Sequence, residues 1–188
     1  MAFDRMPEVT DPKAMRALAH PVRIALLEAL TIHGQLTATE AGELVGESPA
    51  NTSFHLRQLA KYGYVEEAGG GTSRRRPWKR KYLGMSFSEV HDDPETANAA
   101  RELSRTMTQR YLARAEKGLE ENRSQPREWR NALGWNQMGL YLTAEELDAL
   151  STEIVELMLQ RFGERRVRTD TTPAEAERVE LLTFSYRV

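Results

Sequence analysis

Six of the eight residues from Arg74 to Lys81 are cationic: Arg74, Arg75, Arg76, Lys79, Arg80 and Lys81. So dense a cluster of fixed positive charge is either a solvated loop or a contact for a polyanion such as a nucleic-acid backbone. Shortly upstream, residues 48–62 separate into two faces on a helical wheel. Thr52, Leu56, Leu59 and Ala60 fall together and should pack inward. Ala50, Ser53, Phe54, Arg57 and Lys61 fall opposite, with Asn51 and Gln58 flanking them and Ser48 at the start. That outer set has the chemistry of base-edge recognition. Asn and Gln amides can pair with adenine, Arg57 can take guanine or a phosphate, and Ala50 or Phe54 can meet a thymine methyl. The plainer reading is an amphipathic helix whose outer face is merely hydrated, but a purely solvated face has no reason to carry Phe54. His55 lies between the two faces, and base contact, phosphate bonding and helix packing all remain open to it.

Catalytic and metal chemistry find little to work with. The chain has no cysteine, which removes thiolate ligands, thiol nucleophiles and disulfides. Its four histidines, His20, His33, His55 and His91, are widely spaced and form no i, i+4 pair on a helix. His91-Asp92-Asp93 is the one cluster of potential ligands, and its place before Pro94 reads as a solvated acidic loop. There is no Gly-rich phosphate loop, nucleophile elbow or H-E-x-x-H motif. No metal, no cofactor and no enzymatic activity are expected.

Several elements must position the two groups. Residues 12–19 read as a short helix after Pro12, and Pro21 opens a second that ends near Gly34. A third begins at Thr37 or Thr39; Thr37 with Glu40 forms a capping-box pattern, and Gly46 ends it. Ser48 then caps a fourth helix with Pro49 in its first turn, stopped at Gly63. Beyond it the period changes. Tyr64 to Ala68 is one strand, Gly69-Gly70-Gly71 a flexible turn, and Trp78 to Leu83 the returning strand. In a strand successive side chains alternate faces, so all six cations cannot meet one surface together. Helices followed by a basic β-hairpin give the order of a winged helix-turn-helix over 12–85, with the turn at Glu47.

Within that stretch Leu18-Ala19-His20-Pro21-Val22-Arg23-Ile24-Ala25-Leu26-Leu27 resembles the opening helix of the ArsR-type winged-helix regulators. Ser53-Phe54-His55-Leu56-Arg57-Gln58-Leu59 resembles their recognition helix, and Gly63-Tyr64-Val65 their entry into the wing. The resemblance covers less than half of the chain. It implies a regulator, more often a repressor, that acts as a homodimer on a pseudo-palindromic operator in double-stranded DNA. The recognition helix would then read sequence while the wing cations hold phosphates or enter the minor groove. The family's metal-sensing thiolates have no counterpart here. A winged-helix module for protein assembly or RNA binding is the alternative, although single-strand RNA would favour several exposed aromatics on one platform.

Composition agrees with a folded chain: 188 residues, 40% hydrophobic and 29% charged, with a net charge of −2. Residues 1–85 carry three more basic than acidic side chains, whereas 86–188 carry five more acidic than basic. No apolar run reaches the ~18–20 residues of a membrane span. The acidic start, with Asp4, Glu8 and Asp11, is not a signal peptide, and a cytoplasmic setting is expected.

After the wing, 94–122 reads as one long helix with a stripe that includes Leu103, Met107, Tyr111 and Leu119. By its position in the resembled family, that stripe is expected to form the dimer interface; packing within the chain is the other reading. Residues 124–188 read as an added α/β unit of strand, helix and strand, open to a role as an effector domain or a dimer domain. Glu128 to Leu142 supplies one or two strands, Thr143 caps a helix, and Val179 to Val188 is a final strand. Trp129 and Trp135 in this extension could line a pocket for a small organic effector or simply pack a core. The expected class is α+β, mostly α.

Overall fold

The computed structural model describes residues 7–69, 76–82 and 84–188. The chain divides into two units, Met1–Tyr111 and Leu112–Val188.

The first unit begins with α1 (Pro12–Leu18), whose N-cap Asp11 accepts from the Lys13 amide, and α2 (Pro21–His33), capped by His20. A short strand, β1 (Gln35–Leu36), follows Gly34, which takes φ 76° at the end of α2. Then comes α3 (Ala38–Val45), where both hydrogen bonds of the Thr37/Glu40 capping box are made. Gly46, at φ 74°, ends α3 in the left-handed region, and α4 (Pro49–Lys61) starts from Ser48. Strands β2 (Val65–Glu67) and β3 (Trp78–Arg80) complete a three-stranded antiparallel sheet in the order β1-β3-β2. Trp78 pairs with both Leu36 and Glu67, and Lys79 with Gln35 and Glu66. The hairpin was legible in the sequence; β1 was not, because two residues carry no alternation to recognise. The anticipated glycine turn at 70–71 and the strand end at Leu83 lie outside the described residues.

The core of this unit joins Met15 and Leu18 of α1, Leu26 and Leu30 of α2, and Leu56 and Leu59 of α4, all essentially inaccessible. Each such leucine contributes about 1.5–3 kcal/mol through burial. The long helix α5 (Pro94–Glu121) closes the same core with Ala99, Ala100 and Leu103. Asp93 caps it, accepting from the amide and hydroxyl of Thr96, so this acidic residue before Pro94 serves the helix end. Arg110 on α5 holds the Glu28 carboxylate of α2 through Nε and Nη2 at 2.5–3.1 Å.

Two expectations for this helix need correction. Leu103 is 0% exposed and belongs to the core of the winged unit, and Met107 packs partly buried against it. The first half of α5 joins the core made by α1, α2 and α4 and is tied to α1 by Arg16–Glu95 and to α2 by Arg110–Glu28. Tyr111 is half-buried, and Leu119 remains exposed.

The second unit is helical where strands were expected. Residues 128–132 lie in α6 (Arg127–Ala132), Gly134 takes φ 146°, and residues 133–142 have no regular structure. Thr143 forms a capping box with Glu146 and starts α7 (Ala144–Phe162), as its sequence pattern predicts. No strand occurs from 179 to 188 among the described residues. The apolar residues on either side of α7 do not form a ladder, and extended segments without one gain no sheet stability. Trp135 is 82% exposed and so packs no core in the single chain, whereas Trp129 on α6 is half-buried. Among the described residues, no helix is long and apolar enough to cross a membrane.

Candidate nucleic-acid interface

The placement of α4 is set by its contact with α3. At Gly42 of α3 an added Cβ would lie 2.7 Å from the Glu47 carbonyl oxygen and 2.8 Å from Thr52 Oγ1. The helices therefore approach closely there only because position 42 is glycine. The Glu47 amide donates to the Gly42 carbonyl at 2.9 Å, which pins the turn between them.

With its inner side held by Thr52, Leu56 and Leu59, α4 turns Ser48, Ala50, Asn51, Phe54, Arg57 and Lys61 to solvent, with Ser53 and Gln58 half-buried. The wheel thus sorts this helix as the sequence predicts, and Phe54 is 47% exposed. Local bonds order the polar groups. Ser48 Oγ accepts from the Asn51 amide at 3.3 Å. The Asn51 side-chain amide donates to Glu47 at 2.6 Å, and Arg57 donates to Ser53 Oγ at 2.9 Å. These exposed contacts hold both side chains in the free chain, and a ligand of either would have to replace them.

His55 does not join the outer face. It is 5% exposed, covered by His20 and Arg23. Its ring lies 4.6 Å from that of His20 and meets Phe54 edge-on at 5.3 Å. Arg23 Nε donates to His55 Nδ1 at 3.3 Å, while Arg23 Nη1 donates to the Ala17 carbonyl at 2.7 Å. His20 Nδ1 accepts from the Val22 amide at 3.3 Å. Both imidazoles thus serve as acceptors, which requires the neutral form. Burial and then the Arg23 cation hold the His20 pKa below the ordinary histidine value. Burial, His20 and Arg23, in that order, do the same to His55, and Glu47 opposes weakly in both cases. This cluster, with Arg23 at its centre, ties α4 to the first turn of α2. The sequence named its members only as motif positions, and no spacing signal linked residues 20–23 to 55.

The wing cations divide. Lys79 and Arg76 make cross-hairpin ion pairs with Glu66 at 3.1 Å and Glu67 at 2.7 Å. Such exposed pairs contribute about 0–1 kcal/mol, so a phosphate can displace the glutamate. Arg80 turns back instead, donating from Nη1 to Thr31 Oγ1 of α2 at 2.7 Å. Alternation along β3 explains why Lys79 and Arg80 part: Trp78 and Arg80 share the face toward α2, and Lys79 takes the other, while Arg76 precedes the strand. Lys81 is exposed, with its ammonium 5.6 Å from the Tyr82 ring. Arg74 and Arg75 lie outside the described residues. Among the described residues, no group of three His, Asp or Glu side chains is disposed to hold a metal ion.

Residues 18–68 match the model of a helix-turn-helix domain family. The match runs from the end of α1 through α2, α3 and α4 to the far side of β2, so it covers the turn and the exposed helix. The chain therefore carries a helix-turn-helix domain in a winged, α+β setting, the class of fold used by DNA-binding regulators. No curated protein matches the chain.

Proposed function

We propose that this chain is a sequence-specific regulator of transcription that binds double-stranded DNA as a homodimer on a pseudo-palindromic operator, acting as a repressor. The observation that carries the reading is the outward face of α4. A helix held by a close glycine contact presents Asn51, Ser53, Arg57 and Gln58 around a half-exposed Phe54. This combination suits a major-groove floor better than it suits water. The wing beside it supplies Lys79, Arg76 and Lys81 for flanking phosphates, which add affinity and register without reading sequence. Kinship with the ArsR-type regulators is part of the same reading, supported by the opening-helix and recognition-helix motifs. Two copies are invoked because one winged unit spans a single half-site, which discriminates poorly against a genome of competitors.

The test is base preference. Arg57→Ala should weaken binding to the preferred duplex by about 1–3 kcal/mol and relax preference at one or two positions. Equal weakening on unrelated duplexes would make Arg57 a phosphate contact and remove α4 as the reader.

A further inference from the structure

The second unit lacks what the first has. Every residue from Leu112 to Val188 is described, and not one is buried. Leu140, Leu157, Phe162 and Leu181 are each more than half exposed, and Tyr141 and Val188 are fully so. Even the inner stripe of α7, Leu147, Leu150, Ile154 and Met158, is only partly covered. A 77-residue unit with no interior cannot offset the conformational entropy of ordering its chain, roughly 1–2 kcal/mol per residue for the backbone alone.

The surface area indicates how much cover is missing. The chain exposes 14174 Å². Two separately compact monomeric units of these lengths would together expose roughly 11,000 Å². The surplus of roughly 3,000 Å² per chain reaches or exceeds the ~1,000–2,500 Å² that each partner of a permanent homodimer buries.

Charge favours a second copy as the cover. Arg123, Arg127 and Arg130 make the segment before Leu133 basic, with Glu128 the one acidic residue from 123 to 130. Helix α7 is acidic, carrying Glu145, Glu146, Asp148, Glu153 and Glu156 against Arg161. A chain with one segment of each sign is complementary to its own copy, as a two-fold interface requires.

We propose that residues 112–188 of two chains complete each other's core, so that folding of this unit and association are one event. The inference rests on the homodimer reading above and deepens it: the interface moves from the Leu103 end of α5 to the C-terminal unit.

Tryptophans allow the two units of the full-length chain to be followed separately. Trp78→Phe/Trp129→Phe leaves Trp135 as reporter of the second unit, and Trp129→Phe/Trp135→Phe leaves Trp78 as reporter of the first. Thermal unfolding is recorded at concentrations about a hundred-fold apart, with sedimentation at both, because mass action raises the midpoint only of a unit whose folding consumes a partner. The expected result is a dimer whose Trp135 transition rises by several degrees with concentration while that of Trp78 stays fixed. Leu157→Glu should yield a monomer with the Trp135 transition lost and the Trp78 transition intact. A dimer whose Trp135 transition ignores concentration, or whose mass survives Leu157→Glu, overturns the proposal and leaves the homodimer reading standing. A monomeric wild-type chain with a cooperative Trp135 transition overturns both.

Discussion

Replacing Gly42 by alanine tests how α4 is held against α3. Two effects oppose each other. In an exposed helix interior Gly→Ala is worth about 0.8–1.0 kcal/mol in favour of folding. Here the new methyl would stand 2.7 Å from a backbone carbonyl, that of Glu47, and 2.8 Å from Thr52 Oγ1. The carbonyl cannot rotate aside like the end of a flexible side chain, and the Glu47 amide is bonded to residue 42 itself. Relief must come from moving α3 and α4 apart by several tenths of an ångström, and overpacking of this kind costs about 1–3 kcal/mol. The net expectation is a loss of up to about 2 kcal/mol, after subtraction of the propensity gain. Because the displaced element is α4, affinity for a specific duplex should fall further than affinity for an unrelated one. Urea unfolding followed at Trp78, with duplex binding by fluorescence anisotropy, measures both. Thr52→Ala in the same background removes one of the two contacts and should restore part of the loss. A Gly42→Ala protein stabilised by the full propensity gain, with unchanged specific affinity, would refute the close-approach argument.

Other consequences can be measured alongside. The neutral His20–His55 pair makes the winged unit acid-sensitive in a definite sense. Both pKa values are lowered by folding, so the unfolded chain binds more protons once pH falls below the ordinary histidine value of about 6.5. Stability should be flat with respect to these groups above that pH and decline as pH falls from it toward the lowered folded values. His20→Asn/His55→Asn should flatten that decline, and an unchanged acid limb in the variant would dismiss the pair as its source. In the wing, Lys81→Ala should reduce the slope of log affinity against log salt by about 0.9, as for one lost phosphate contact. Arg80→Ala should instead lower stability, through its Thr31 bond, and leave the slope near its wild-type value. The reverse assignment would mean that β3 presents its other face to DNA.

The parts of the fold that were legible are those with local causes. Caps at Thr37, Ser48 and Thr143, prolines at helix starts and glycines at 34, 46 and 63 act within a few residues of themselves, and each marked its helix end correctly. The two-faced pattern of α4 was legible for the same reason. What failed depends on distant partners. Leu103 and Met107 look like an interface stripe until they are seen to join the core made by α1, α2 and α4. The residues on either side of α7 have the composition of strands, but strands exist only with a neighbour to pair with. His55 illustrates the limit within the site: its wheel angle was ambiguous, and only the contact with His20 and Arg23, more than thirty residues away, turns it inward. Arg80 is similar, since a run of cations gives no hint that one of them bonds α2.

Sequence-specific binding by a two-fold dimer can be measured by selecting bound duplexes from a random-sequence library with the full-length protein at physiological salt. The expected result is one enriched motif with two inverted half-sites whose centres lie about one helical turn apart, ~10–10.5 base pairs. Arg57→Ala should blur that motif at matching positions in both halves. Recovery of no motif, with affinity that follows only duplex length and salt, would contradict it.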